Sequence, residues 1–192
     1  MFKLKKIPAV TIILLLLLNF SSCGDDRVAF GPETGAYEIM LYEDAWTVMD
    51  SQSIHQMCLV YENRYMLRYG LSVTIDCYSR SDMADFSAPD FDDFIMFYKA
   101  FGEVNDIFEG ENNTARELAD ADPKDIKNKS ITSGKRQQVG IISSEGFEAV
   151  TEFIFLETAD YYLAISYSAA QMDFDNAQDI MNDAVRNLKI LK

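Results

Sequence analysis

Apolar and polar residues alternate most regularly between Arg64 and Cys77. Tyr65, Leu67, Tyr69, Leu71, Val73, Ile75 and Cys77 take the odd positions, while Arg64, Met66, Arg68, Gly70, Ser72, Thr74 and Asp76 take the even ones. A period of two places each set on one face of a pleated strand, so the segment predicts a half-buried strand with a bend at Gly70. Short apolar runs at Tyr37–Tyr42 and Trp46–Met49, around Glu43-Asp44, and at residues 57–61 predict further strands. Downstream, residues 147–156 and 161–167, joined by Glu157-Thr158-Ala159-Asp160, predict a hairpin. In its second strand Tyr161, Leu163, Ile165 and Tyr167 face one way, and Ala164 and Ser166 the other. Residues 137–142 offer a partner strand.

The period changes twice. From Pro89-Asp90 onward, Phe91, Phe94, Ile95, Tyr98, Phe101, Val104 and Phe108 recur at three- and four-residue steps, which predicts one amphipathic helix over residues 90–108. Asp90, Asp92 and Asp93 sit where they complement the positive end of its dipole. Asp173, read as a cap, opens a second helix over residues 174–189, with Phe174, Ala177, Met181, Ala184, Val185 and Leu188 on its apolar stripe. Residues 111–134 are rich in Asn, Asp, Lys and Ser and lack aromatic residues. They predict a long exposed loop with one helical turn around residues 115–118.

The first 22 residues stand apart from this pattern. Lys3, Lys5 and Lys6 precede a twelve-residue, largely apolar stretch from Ile7 to Leu18, followed by the small residues Ser21 and Ser22. This is the order of a secretory signal. Twelve residues give about 18 Å of helix, short of the roughly 30 Å hydrocarbon core of a bilayer. Phe20 is too bulky for ordinary signal cleavage after Ser22. The stretch Phe20-Ser21-Ser22-Cys23 instead resembles the lipobox of bacterial lipoproteins, with Phe20 where that family usually carries Leu. The resemblance implies lipidation at Cys23, with a diacylglycerol on sulfur and a further acyl chain, such as palmitate, on the new amino group. Buried methylenes contribute ~0.8 kcal/mol each, so two or more chains anchor stably. The chain therefore divides into a signal peptide (1–22), a polar lipidated tether carrying Gly24, Gly31, Pro32 and Gly35 (23–36) and a single globular domain (37–192). The implied location is the bacterial cell envelope, on the outer or inner membrane, facing the periplasm or the surface.

Charge narrows the partners. The whole chain carries a formal −14, and removing three lysines and no acids with the signal takes it to −17. Such a surface repels phosphate backbones and anionic headgroups, which argues against nucleic-acid binding and leaves membrane attachment to the lipid. With Cys23 assigned to lipid, Cys58 and Cys77 remain in an oxidising compartment. They stand either as a disulfide pair or as two buried free thiols, because spacing alone does not bring alpha carbons within bonding range.

The order of elements is a tether, strands carrying the lone Trp46, a long helix, a loop, a three-stranded meander and a terminal amphipathic helix. It resembles the PsbP-like fold shared by a photosystem II extrinsic subunit and bacterial lipoproteins of the DcrB type. The likeness is strongest from Gly146 to Leu191, where Gly-Phe-Glu-Ala-Val-Thr-Glu-Phe precedes Tyr161-Tyr162-Leu163-Ala164-Ile165-Ser166-Tyr167 and the last helix. It implies an α+β fold, with a central antiparallel sheet of about six strands between helices, and a family that mostly binds or assists assembly without catalysis.

Chemical motifs are sparse. The lone His55 has no nearby Cys or His spacing for zinc, and no serine sits in a Gly-x-Ser-x-Gly turn. There is no Gly-rich phosphate loop. Acidic pairs such as Asp92 with Asp93 and Asp173 with Asp175 are expected by chance among 31 acidic residues. Asp173, Asp175, Asp179 and Asp183 lack the Gly and terminal Glu of a calcium loop. No metal or cofactor is expected. One patch stands out: Arg64 and Arg68 share a strand face beside Tyr61, Tyr65 and Tyr69, either as an interface patch, since Arg and Tyr are enriched in hot spots, or as two arginines solvating the outer face of a core-facing Tyr row. The leading expectation is a non-catalytic binding or assembly module that meets an envelope protein partner. The alternative is a carboxylate-dependent hydrolase of glycans, which requires two carboxyls about 5 to 9.5 Å apart in an aromatic-lined cleft.

The anchor assignment is testable in cells: Cys23→Ser should leave full-length precursor and abolish labelling by a fatty-acid probe, and inhibition of lipoprotein signal peptidase should leave full-length precursor. A Cys23→Ser protein that is still processed and acylated would overturn it.

Overall fold

The computed structural model describes residues 27–49, 56–61, 66–100 and 102–191. Cys23, His55, Arg64, Tyr65 and Phe101 lie outside the described residues. The strands are β1 (Arg27–Phe30), β2 (Tyr37–Tyr42), β3 (Trp46–Met49), β4 (Gln56–Tyr61), β5 (Leu71–Ser79), β6 (Thr114–Ala115), β7 (Ala119–Asp120), β8 (Ile131–Ile142), β9 (Glu148–Thr158), β10 (Tyr161–Ala170) and β11 (Leu188–Ile190). The helices are α1 (Arg80–Asp85), α2 (Phe91–Lys99), α3 (Gly102–Glu109), α4 (Pro123–Ile126) and α5 (Phe174–Arg186). Among the described residues, eight strands form one antiparallel sheet in the order β3-β4-β5-β10-β9-β8-β6, with β7 also paired to β8. A second, three-stranded sheet runs β1-β2-β11. The α+β class expected from sequence holds, and the main sheet exceeds the six strands anticipated.

The β9–β10 hairpin is the centre of the molecule. The apolar run Phe153-Ile154-Phe155-Leu156 has no polar alternate, and all four side chains are buried. A strand of that kind must be covered on both faces. On one face Phe153, Phe155, Tyr162 and Ala164 pack with Phe91, Phe94, Ile95 and Tyr98 of α2. The Phe94 ring stacks on Tyr162 at 4.9 Å, and Phe108 of α3 meets Phe153 at 4.9 Å. On the other face Ile154, Leu163, Ile165 and Tyr167 pack with α5 and with Tyr37, Ile39 and Leu41 of β2. The Tyr37 hydroxyl donates to the Ile75 carbonyl at 3.3 Å and ties the small sheet to the large one.

Several sequence expectations are corrected here. Residues 27–30, assigned to the tether, form β1 and pair with β2 from Arg27↔Tyr42 to Phe30↔Ile39. β2 and β3 join different sheets, with a turn at residues 42–45 redirecting the chain. The helix expected over residues 90–108 is two helices, α2 ending at Lys99 and α3 opening at Gly102, a residue that disfavours helix interiors by about 1 kcal/mol. Residues 111–134 are not one exposed loop, and Ala115 is in a strand rather than a helical turn. They form β6, β7 and α4 and cover the β8 edge, which blunts an otherwise open row of backbone donors and acceptors. The close fit there needs Gly134, since a Cβ at that position would stand 2.5 Å from Ile126 Cδ1. The last helix stops at Arg186, and residues 188–190 form β11 against β2.

The long strand expected from Tyr65 to Cys77 begins only at Leu71. Gly70, with φ of +78°, turns the chain into it close to the Tyr61 carbonyl. Before that turn the chain is held by the start of α5. The Asp173 carboxylate does not cap its helix; it accepts from the backbone N–H of Arg68 at 2.9 Å and of Tyr69 at 3.3 Å. Asn176 Nδ2 donates to the Met66 carbonyl at 3.2 Å.

Register also settles the cysteines. Cys58 pairs with Thr74, three positions before Cys77 on β5. An odd offset places the two side chains on opposite faces of the sheet, so they are free thiols and the disulfide alternative is excluded by geometry. Burial, and then the Asp76 charge, push the Cys77 thiol up to about 12.

Two outcomes follow. Thiol titration without reductant should count both Cys58 and Cys77 as free after unfolding, with Cys77 unreactive at neutral pH in the folded protein. Asp173→Ala should cost about 1–3 kcal/mol by stranding two partly buried amide donors. Thermal unfolding would show this as a fall of about 2–4 °C per kcal/mol, and hydrogen exchange as faster exchange at Arg68 and Tyr69. Unchanged protection at those two amides would show that the carboxylate does not hold the segment.

Candidate binding clefts

The covers on the central sheet run out at the β4–β5–β10 end, and two clefts open there. The first, about 640 Å³, lies beyond the ends of β4, β5 and β10. Its walls include Tyr61, Arg68, Tyr69 and Phe147. Three of the five residues singled out from the basic-aromatic pattern are thus brought to one place. They are not on a shared strand face, because Arg68 and Tyr69 precede β5.

Local structure explains each position. Tyr61 ends β4 on the α5 side of the sheet, where it packs edge-on against Trp46 at 5.0 Å and is 7% exposed. Arg68 and Tyr69 are presented outward by the Asp173 anchor and the Gly70 turn. Tyr69 is 62% exposed, although alternation put it in the core row with Leu67 and Leu71. The Arg68 side chain is exposed, and among the described residues its guanidinium has no carboxylate in salt-bridge range. Phe147 comes from the β8–β9 turn. There Gly146 adopts φ of +78°, Ser143 N–H donates to the Phe147 carbonyl at 2.9 Å, and Phe147 N–H donates to Ser143 Oγ at 3.0 Å. The Phe147 ring, 48% exposed, meets Tyr69 edge to face at 5.9 Å. Sequence reading missed Phe147 as a site residue; its signal was an aromatic directly after a Ser-Ser-Glu-Gly turn.

The second cleft, about 680 Å³, lies between the main sheet and the layer α1–α3. Its floor is the even-numbered face of β5 and β10, with the hydroxyls of Ser72, Thr74, Ser166 and Ser168. Its wall includes Phe86, Phe97, Val104 and Ile107. At the floor Asp76 is only 6% exposed; it accepts from the Tyr98 hydroxyl at 2.7 Å and from Gln56 Nε2 at 3.1 Å. Burial, and then the Asp76 charge, raise the Tyr98 phenol far above its ordinary value and push Tyr78 up to about 12. Both phenols therefore stay protonated as donors at neutral pH. Asp76 and Glu103 are the acidic residues on this lining, and the first cleft's lining includes none. Ser72 and Ser168 border both clefts, so the two open onto one continuous surface.

Two members of the acidic run at the start of and along α5 are engaged. Asp173 holds the Arg68–Tyr69 amides, and Asp183 pairs with Arg27 at 3.2 Å.

No family model and no curated protein sequence matches the chain. Solved structures do. A point mutant of the protein Mog1 aligns with a TM-score of 0.55 at 10% identity, covering 86% of this chain and 96% of that one. Cyanobacterial PsbP (CyanoP) of Synechocystis sp. PCC 6803 aligns at 0.52 and 14% identity, covering 88% and 98%. LpqN of Mycobacterium tuberculosis, described as involved in cell envelope biogenesis, aligns at 0.50 and 10% identity, covering 86% and 91%. Matches of this length at such low identity are likenesses of fold, and they agree with the element order read from the sequence: the chain has the PsbP-like fold.

Proposed function

We propose that this chain is an exported, lipid-anchored envelope protein whose domain is a non-catalytic binding or assembly module, and that it engages a protein partner at the cleft beside Tyr69. The observation that carries the reading is the grouping of two exposed, mutually packed aromatic rings, Tyr69 and Phe147, with the exposed Arg68 on a body of strongly negative charge. Aromatic and arginine side chains dominate interface energetics. Here backbone anchors hold the segment bearing two of them, so little conformational entropy is lost on binding. Arg68 gives planar, bidentate contacts to carboxylates, and on a strongly acidic body it would orient an acidic partner segment. The fold is shared with LpqN, whose description places that protein in envelope biogenesis, and Cys23 supplies the attachment. Among the described residues, no helix is long and apolar enough to cross a membrane.

A photo-crosslinking amino acid at Tyr69 or Phe147, introduced into the full chain in cells, should give a discrete adduct, and the same probe at Met96, exposed on α2, should not. Tyr69→Ala should weaken partner capture by about 1–2 kcal/mol, and Arg68→Ala more at low salt than at high salt. Identical adducts from Met96, or capture indifferent to both substitutions, would overturn the assignment of this face.

A further inference from the structure

We propose that the end of the domain carrying the Tyr69–Phe147 cleft rests on the membrane to which Cys23 is attached, with its exposed apolar side chains in the headgroup layer of a zwitterionic leaflet. The inference rests on the lipid anchor proposed above and deepens that reading: a partner taken by the cleft is met in the plane of the membrane.

Strand register brings the anchor and this face to one end. β1 enters at Arg27, opposite Tyr42 at the end of β2. The turn at residues 42–45 carries the chain to Trp46, which pairs with Tyr61 at the end of β4, and Tyr61 pairs with Leu71 at the start of β5. β10 ends beside the start of β5, with Ser168 opposite Ser72, and its Ala170 stands opposite Ala149 at the start of β9. Arg27 therefore lies at the same end as the loop into β5 and the β8–β9 turn. Only residues 24–26 separate it from Cys23. A fully extended chain gains at most about 3.6 Å per residue, so the two alpha carbons are no more than roughly 14 Å apart. A body of this many residues is roughly 40 Å across. The connection is too short to turn the opposite end of the domain to the bilayer.

What this end exposes suits a lipid surface. Among the described residues ten large apolar side chains are exposed, and six of them stand here: Tyr42, Met66, Tyr69, Ile142, Phe147 and Met172. Exposed apolar groups gathered in this way mark surfaces that meet a partner or a membrane. Tyrosine, with an apolar ring and a polar tip, is enriched at the level of the headgroups. The exposed Arg68 adds planar donors for lipid phosphate, while its stem lies along apolar surface. Charge does not drive the contact. Glu43, Asp44, Glu145 and Glu148 are exposed in and beside the turns of the same end, and an anionic leaflet would repel them. Insertion of a few side chains is weak by itself, but the anchor makes it intramolecular. The lipid supplies attachment and the patch supplies orientation.

Methionine methyl groups report this orientation. Met66 and Met172 lie on the docking end, whereas Met96 is exposed on α2, whose Phe91 and Phe94 stack on Tyr162 near the other end of β10. The mature chain, in a Cys58→Ser background that leaves only the buried Cys77 besides Cys23, can be coupled through Cys23 to a maleimide phospholipid in phosphatidylcholine nanodiscs. The anchor is then present whether or not cells acylate the chain. With a spin label on the lipid headgroup, the Met66 and Met172 methyl signals should lose most of their intensity and Met96 should keep its own. Tyr69→Asp with Phe147→Asp, at two exposed positions, should restore Met66 and Met172, and phosphatidylglycerol in the bilayer should weaken their broadening. Unchanged shifts of the buried Met83 and Met181 methyls would show that the double variant is folded; should they move, Met66→Glu, read at Met172, replaces it. Equal loss at all three exposed methyls, or loss centred on Met96, would overturn the docking and leave this face to a soluble partner. Broadening that survives the double substitution, or grows with anionic lipid, would overturn it as well. Docking of the coupled chain without acylation of Cys23 in cells would overturn the anchor on which the proposal rests and spare the docking face.

Discussion

The whole architecture depends on one constraint: the β9–β10 hairpin is apolar on both sides. Tyr162 and Ala164 are shut away under α2, and Leu163 and Ile165 under α5 and the small sheet. Fully burying a large side chain contributes about 1.5–3 kcal/mol, so leaving either face in water would forfeit much of the core. Three layers are the answer to a sheet that cannot tolerate solvent on either face.

Holding α5 to its side required more than apolar contact. Glu152, in the middle of β9, points toward α5 and is 1% exposed. Its two oxygens accept from Arg136 at 3.0 Å, from Gln138 at 3.0 Å, from Gln178 of α5 at 3.1 Å and from the Tyr167 hydroxyl. Arg136 reaches on to Asn182, also on α5. A buried carboxylate alone would be very costly, and here each oxygen has two donors. Because the donors come from β8, β10 and α5, the network fixes the helix in one rotational setting on the sheet. That setting places Asp173 where it can hold Arg68 and Tyr69, and so the buried charge and the exposed cleft are mechanically linked.

The clefts are a consequence of the same covering. The helices α2 and α3 lie over the β8–β9–β10 half of the sheet and stand away from β4 and β5. Where the cover is complete the strand face is aromatic or aliphatic. Where it thins, the face turns to Ser, Thr and Asp76, because water or a ligand must meet it. The loop into β5 and the turn into β9 meet at the adjacent end and give the aromatic rim of Tyr69 and Phe147.

Local pattern was enough to determine much of this. Alternation located β5 and β10, three- and four-residue spacing located α2 and α5, and turn chemistry located the β9–β10 hairpin, since each depends on neighbours within a few residues. The uninterrupted apolar run Phe153–Leu156 already carried the message that both faces are buried. Other decisions belonged to tertiary structure. Tyr69 obeys the alternation that should bury it, yet Asp173, more than a hundred residues away, captures its backbone and turns its ring outward. Asp76 reads as the solvent side of a strand, and becomes interior because Tyr98 of α2 and Gln56 of β4 close on its carboxylate. Cys58 and Cys77 could have been partners until the register of β4 on β5 put them on opposite faces. Sequence spacing specifies which residues share a face; only the packing of distant elements decides whether that face meets water, a helix or a ligand.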